Sequence, residues 1–228
     1  MTLSLISLSK LSKLFKYLAT HDPKSGQSFP PLVDISKELD ISIGSLREQL
    51  EVARVFGFVE VKPRIGTRRL PYSFLPAVKQ SLGYALILNN DYFQSYSSLR
   101  IHIESAYWYE AVRKLTSEDH QQLKHLIDQA WGKLRGTPVN IPHDEHRELH
   151  LLIYCRLNNP FVQGILEAYW DAYEDVGLNV YTGYDYHVEV WQYHSAMVEA
   201  ICCGNYQNGY DALIRHTDLI YHRPLTET

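Results

Sequence analysis

The stretch "LVDISKELDISIGSLREQLEVARVFGFVEVKPRIGTRRL", residues 32–70, decides the fold of the front third of the chain. Its apolar spacing predicts two short helices, Val33–Leu39 and about Ile43–Val55, the second capped by Ser42 and ended by Gly57. After Gly57, apolar and polar residues alternate around an Arg-Ile-Gly turn, which predicts a β-hairpin. This order of elements indicates a winged helix-turn-helix, whose second helix enters the major groove of DNA while the wing follows the phosphates.

The side chains expected to face DNA are basic or short and hydroxylated, with a glycine in the wing. Arg47 and the hydroxyls suit base edges or phosphate. The wing cations Lys62, Arg64, Arg68 and Arg69 suit phosphates, which position a protein without specifying a sequence. The expected DNA-binding set is Ser42, Ser45, Arg47, Lys62, Arg64, Gly66, Thr67 and Arg68. The alternative, an ordinary helical hairpin with a charged face, leaves the ordered succession of helix, turn and basic hairpin unexplained.

Charge is divided unevenly along the 228 residues. Residues 1–76 hold 11 Lys/Arg against 7 Asp/Glu, whereas residues 77–228 hold 11 against 19, so only the front is expected to meet a polyanion. We predict a DNA-binding domain over 1–76, with an amphipathic helix at 8–20, and a second domain over 77–228. Three cysteines without CxxC spacing, no signal-peptide pattern and no apolar run of membrane length indicate a cytoplasmic protein without a membrane partner.

Helix-like apolar spacing recurs through the whole second domain, and strand patterns are nearly absent. The fold class is therefore expected to be mainly α, with the winged helix-turn-helix followed by an all-α antiparallel bundle of six or seven helices. The predicted helical segments are 78–94, 97–115, 117–134, 144–157, 160–175, 187–203 and 206–221.

Four histidines of the second domain form a candidate metal site. His146 and His150 are four residues apart, so they project from one face of a helix. His194 lies ten residues before Gly204 and His216 twelve after it, so an antiparallel hairpin brings them to about the same height. Four imidazoles suit Zn²⁺ first and Ni²⁺ second, and not Mg²⁺ or Ca²⁺. The alternative is that these four histidines bind no metal and lie at the surface or in the core. We expect His143, His187 and His222 at the surface, and we assign no functional role to His102, His120 and His125.

Two parts of the chain resemble a known family of regulators. "SIGSLREQLEVARVFGFVEVKPRIGTRRL" is similar to the DNA-reading segment of the GntR family, with matches at Ser42, Arg47, Glu48, Leu50, Gly57, Val59 and Gly66 and departures at Ile43 and Gly44. "HRELHLLIYCRLNNPFV" and "HSAMVEAICCGNYQNGYDALIRH" resemble the FCD-type effector domain of the FadR subfamily, including the offsets from His150 to Asn159-Pro160 and from His194 to Gly204 and His216. The resemblance runs from about residue 10 to residue 222.

The resemblance implies a homodimeric, metabolite-responsive transcription regulator, expected to be a repressor of operator DNA, that binds a metal and a small organic acid. The first metal ligand of such domains is usually Asp, and here it is His146, which would give a zinc site a charge of about +2 instead of +1 and favour a carboxylate effector. Alternatively, His146 weakens the site or leaves it with three ligands. "LRIHIE" resembles an Arg-x-x-x-Glu stretch of the family, so Arg100 is expected to hold the carboxylate, with a salt bridge to Glu104 as the alternative. Tyr107 and Tyr193 are further expected effector contacts, although most aromatic residues of this domain are expected in the core or a dimer contact.

A metal-dependent enzyme on a helical bundle is the rival from another class, since an imidazole-bound metal can activate water. Glu148 and Glu199 are candidate general bases by composition alone, and a basic winged helix would have no role in an enzyme. The protein is therefore expected not to be an enzyme. A regulator whose histidines bind no metal is the third hypothesis.

Overall fold

The computed structural model describes residues 11–21, 27–176 and 183–221. The chain divides into two compact units, Met1–Ala77 and Val78–Thr228. The first contains helices α1 (Lys13–Thr20), α2 (Leu32–Leu39) and α3 (Ile43–Val55) and the antiparallel strands β1 (Val59–Lys62) and β2 (Gly66–Arg69). Next come α4 (Leu75–Leu88), α5 (Tyr92–Val112), α6 (Ser117–Leu134), α7 (His143–Tyr154) with a 3₁₀ turn (Cys155–Leu157), α8 (Pro160–Asp175), α9 (Tyr184–Cys202) and α10 (Tyr206–Tyr221). The predicted mainly helical fold with a small wing is confirmed.

In the first unit, α3 has the predicted bounds because local signals fix both of its ends. The Ser42 hydroxyl accepts a hydrogen bond from the Ser45 amide at 3.2 Å. Gly57 ends the helical run with a φ of +70°, and a Cβ there would lie 2.7 Å from Pro76. One face of α3 is buried through Leu46, Leu50 and Ala53.

Several predicted helix boundaries need correction, among them the start of the first helix and the end of the first bundle helix. The first helix begins at Lys13 instead of residue 8, because the Ser12 hydroxyl caps it by accepting from the Phe15 amide; residues 8–10 lie outside the described part. The first bundle helix ends at Leu88 instead of 94, where the Asn89 side chain accepts from the Asp91 amide at 2.8 Å and the chain restarts as α5.

The second unit is an all-α bundle in which α9 and α10 form an antiparallel pair. Gly204, with a φ of +72°, allows the tight turn between them. Helix α5 packs against α7, α8 and α10, while α6 packs against α7 and α9. The core is close-packed around fully buried side chains such as Trp108, Leu149 and Leu213. Among the described residues, no helix is both long and apolar enough to cross a membrane.

Candidate metal centre and nucleic-acid surface

The structure brings together the four histidines singled out in the sequence. His146 and His150 come from α7, His194 from α9 and His216 from α10. One ring nitrogen from each lies within 4.8 Å of one from every other. The ring centroids are separated by between 4.3 Å, for His194 and His216, and 5.5 Å, for His150 and His216. We call these four residues the histidine cage.

The cage is buried, and four of its eight nitrogens are buried with no partner among the described residues. His150, His194 and His216 are completely buried, and His146 is partly exposed although its Nε2 atom is buried. His146 Nε2, His194 Nδ1 and both nitrogens of His216 make no hydrogen bond in the part of the chain that the structure describes. A buried polar atom left unpaired costs about 1–3 kcal/mol, so this arrangement suits a ligand that takes nitrogen lone pairs.

Burial also keeps the four imidazoles neutral. Burial is the largest of the effects that lower their pKa values. The pKa values of His146, His194 and His216 are lowered well below the usual range of histidine. The positive potential of Arg100 and of the neighbouring cage residues acts in the same direction. The pKa of His150 is lowered too, although Glu104 opposes the effect of burial there. Neutral imidazole is the form that binds a transition metal, so the donor set fits such an ion.

A buried ion pair on α5 forms one wall of the cage. Arg100 and Glu104 are 1% and 0% exposed, and Arg100 Nε lies 2.9 Å from Glu104 Oε2, although the two are not aligned as a hydrogen bond. Arg100 Nη2 lies 2.9 Å and Glu104 Oε1 3.2 Å from His150 Nδ1. Burial would raise the pKa of Glu104, but the positive charge of Arg100 and the contact with His150 outweigh it and lower the pKa. The salt bridge considered as the alternative for Arg100 is thus present, and it touches the cage.

Two tryptophans complete the aromatic surroundings of the cage. Trp170 of α8 lies 4.6 Å from His146 and 5.3 Å from His150, between ring centroids, and Trp191 of α9 lies 4.8 Å from His194. The Arg100 guanidinium lies over the Trp170 ring at 5.3 Å. The sequence predicts most aromatic residues of this domain in the core or a dimer contact, and apolar spacing alone does not show which of them face the histidines.

The expected effector contacts Tyr107 and Tyr193 are not brought to the cage. Both are half-buried, and neither ring contacts a cage histidine within the described ranges. The Tyr107 hydroxyl instead accepts a long hydrogen bond, 3.5 Å, from the Asn159 amide. His143 and His187 also differ from their expected surface positions: His143 is half-buried and His187 only 5% exposed, because the first turns of α7 and α9 place their rings 6.2 Å apart.

The side chains expected to bind DNA lie on α3 and the β-hairpin. Arg47, Lys62 and Arg64 are exposed, as are Ser42 and Gly66, whereas Ser45, Thr67 and Arg68 are half-buried. Arg47 and Arg64 make no ion pair with any described residue, and Lys62 pairs with Glu60 at 2.7 Å. The two serine hydroxyls have internal partners, since Ser42 caps α3 and Ser45 accepts from the Gln49 amide.

Arg69 needs a correction. Its guanidinium donates to the carbonyl oxygens of Leu18 and His21 and lies over the Phe29 ring, so it ties the hairpin to α1 instead of extending toward phosphates.

Comparison with known proteins identifies the family. The FCD domain family matches residues 96–219, which include the histidine cage and span more than half of the chain. The chain belongs to the GntR-type transcriptional regulators that carry an FCD domain. Among curated proteins, this regulator is 23% identical over 192 residues to "Uncharacterized HTH-type transcriptional regulator YcbG" of Bacillus subtilis, covering 84% of this chain and 78% of that protein.

Solved structures share the fold of this FCD-type regulator. Streptococcus agalactiae GntR superimposes with a TM-score of 0.67 at 17% identity, covering 92% of this chain and 95% of that one. E. coli McbR/YncC gives a TM-score of 0.50 at 17% identity, over 86% and 87% of the two chains. The expectation that the protein is not an enzyme is confirmed by the family match. Glu148 and Glu199, the candidate general bases of the enzyme hypothesis, are both exposed.

Proposed function

We propose that this regulator is a homodimeric repressor of the FadR type, acting in the cytoplasm, whose helical domain binds a divalent metal and a small organic acid. The observation that carries the proposal is the histidine cage, four imidazoles with ring nitrogens within 4.8 Å of one another, of which four nitrogens are buried with no partner in the described part of the chain. Four neutral nitrogen donors suit Zn²⁺ first and Ni²⁺ second. A metal held there would act as a Lewis acid, and it would attract a carboxylate oxygen where a histidine leaves one of its coordination positions open.

The charges around the cage favour an anionic effector. Arg100 and Glu104 are buried together and offset each other, and the four imidazoles are neutral. A divalent metal would therefore bring about two uncompensated positive charges into a buried site, and such a charge is stabilised by an anion. An aspartate at position 146 would remove one of these charges. His146 thus supports a carboxylate metabolite as the effector, with Arg100 in reach of the same site.

Exposed basic residues support operator binding by the first unit. Arg47 on α3 is proposed to reach the major groove, and Lys62, Arg64 and Arg68 to meet phosphates along the wing. We propose that Ser42, Ser45, Gly66 and Thr67 allow the backbone and short hydroxyls to approach the duplex closely. Two DNA-binding heads related by a two-fold axis would bind two half-sites.

The dimer proposal has support from α4. This apolar helix leaves Tyr84, Ile87 and Leu88 exposed by 67%, 86% and 63%, and a second copy would cover them. Effector binding is proposed to change the geometry of the two DNA heads. Such coupling requires unequal affinity of the effector for the two arrangements.

Metal analysis of the full chain, purified without a His-tag, tests the centre of the proposal. We expect about one zinc or nickel per chain, loss of the metal in His150→Ala, and retention in His125→Ala, because His125 is exposed on α6. A metal content near zero that added Zn²⁺ or Ni²⁺ does not restore would favour the metal-free regulator.

Binding to a duplex from the protein's own promoter, measured over a series of salt concentrations, tests the first unit. Arg64→Ala should weaken binding and lower by about one the number of counterions released on binding, which is read from the slope of log affinity against log salt concentration. A protein that shows no sequence preference at low salt is not an operator-binding repressor.

A further inference from the structure

Trp170 differs from Trp108 and Trp131 in the partner of its indole nitrogen. Trp108 donates to the Tyr206 carbonyl at 2.9 Å, and Trp131 donates to the Ser195 hydroxyl at 2.9 Å. The Trp170 Nε1 atom is buried and has no hydrogen-bond partner in the described residues, although the side chain is only 2% exposed. Buried tryptophans usually find an acceptor, because an unpaired buried donor is unfavourable.

The position of this donor connects it to the histidine cage. The Trp170 ring lies edge-on to His146 at 4.6 Å and tilted to His150 at 5.3 Å. On the same ring, Arg100 places its guanidinium 5.3 Å from the centroid. Ser97, three residues before Arg100 on α5, is likewise buried and its hydroxyl has no partner in the described part of the chain. The ring of Trp170, which carries an unpaired donor, and the Arg100 cation therefore lie beside the cage, and an oxyanion is stabilised by such a donor and cation.

We propose that Trp170 is a specificity-determining residue of the effector site, donating its indole N–H to a carboxylate oxygen that does not bind the metal. This inference rests on the proposed function, because it assigns a second contact to the same anion. A carboxylate satisfies both the metal and the indole, since it carries two acceptor oxygens. A monatomic anion such as chloride has no second atom to place at the indole while it binds the metal. The Trp170 N–H thus selects carboxylates among the anions that the charge of the site attracts.

Nitrogen-15 NMR of the indole groups tests the proposal on the full-length, zinc-loaded protein, with acetate and malonate as the added anions. The chain has four tryptophans, so four indole N–H signals are expected. Acetate should move the Trp170 signal downfield, as for a donor that gains an acceptor. Trp108 and Trp131 already have acceptors and serve as internal references. Chloride at the same ionic strength should leave the Trp170 signal where it is.

Two variants complete the experiment. Trp170→Phe keeps an aromatic ring beside Arg100 but removes the donor, and it should weaken acetate binding in calorimetry by about tenfold. Trp131→Phe is the control, because the Trp131 indole already donates to the Ser195 hydroxyl at 2.9 Å, and it should leave acetate binding unchanged. If Trp170→Phe does not fold, the wild-type spectra decide, with Trp191→Phe assigning the other cage tryptophan.

The outcomes separate this inference from the proposed function. Acetate that binds in calorimetry without moving the Trp170 signal overturns the inference and leaves the effector proposal standing. A Trp170 signal that moves with zinc alone and does not respond to either acid also overturns it. Failure of both acids to bind the zinc-loaded protein removes the carboxylate effector and the role of Trp170 together.

Discussion

Replacing Glu104 by glutamine removes the negative charge that Arg100 contacts and changes little else in shape. Arg100 is 1% exposed, so water cannot replace the lost partner. For charge centres about 4 Å apart at an effective dielectric constant near 20, the lost attraction is about 4 kcal/mol. One hydrogen bond from the guanidinium to the glutamine oxygen would recover about 1 kcal/mol. We therefore expect Glu104→Gln to lower the free energy of unfolding by about 2–4 kcal/mol, near the cost of breaking other buried pairs.

Urea unfolding of the full chain, followed by circular dichroism with a chelator present, measures this cost without a metal contribution. Glu110→Gln is the matched control, because Glu110 lies on the same helix and pairs with Lys114 at 2.7 Å, but both side chains are about half exposed. That surface pair should contribute at most about 0.5 kcal/mol. Adding Arg100→Met to Glu104→Gln should restore part of the stability, since no unpaired buried charge remains.

An equal, small effect of Glu104→Gln and Glu110→Gln would refute this reasoning. It would mean that Arg100 does not depend on Glu104 for its burial, and that the histidines and aromatic rings beside it suffice. In that case the two charges would not offset each other, and the charge balance used to infer an anionic effector would have to be changed.

Three further changes test other contacts. His146→Asp should keep zinc in metal analysis but weaken acetate binding in calorimetry. One charge about 5 Å from the anion, at an effective dielectric constant near 20, is worth up to about 3 kcal/mol, and unchanged affinity would contradict the charge argument. Asp119 has a pKa lowered to about 2 by the hydrogen bonds from Arg156, so its contribution to stability is present above about pH 4 and is lost as the pH falls toward 2. Asp119→Asn should cost about 1–2 kcal/mol at neutral pH, and a gap in melting temperature from the wild type that stays constant between pH 4 and 2 would exclude this origin. Asp171 accepts hydrogen bonds from Lys79 of α4 at 2.8 Å and from Arg147, which follows His146 on α7, at 2.7 Å. Asp171→Asn should leave the metal content unchanged but reduce the effect of acetate on operator affinity. If the ratio of the dissociation constants with and without acetate is unaltered, Asp171 does not connect α7 to the DNA response.

Local sequence signals were enough to predict most of the helices and the wing. The bounds of α3 follow from Ser42 and Gly57, because an N-cap and a positive φ act within a few residues. His146 and His150 share a face through their spacing alone. His194 and His216 could be matched because Gly204 fixes the turn between α9 and α10. Where local signals were weaker, as near Asn89, the predicted helix boundaries were displaced by several residues.

Other properties depend on helices that are distant in sequence. The inward direction of Arg69, the burial of His187 and the absence of Tyr107 and Tyr193 from the cage have no local signal. Likewise, the sequence predicted two equally weighted roles for Arg100, an effector contact and a salt bridge to Glu104. The salt bridge lies at the cage because α5 packs against α7 and α8.

The type and order of the elements, and the residues able to bind a metal, could therefore be predicted from local patterns of residues. Which polar atoms are buried without a partner depends on the packing of the helices. The reason is physical: hydrogen-bond capacity belongs to a residue type, whereas burial and the presence of an acceptor depend on every helix that packs around it. The Trp170 indole, paired with no described residue although two other tryptophans find acceptors, is the clearest case.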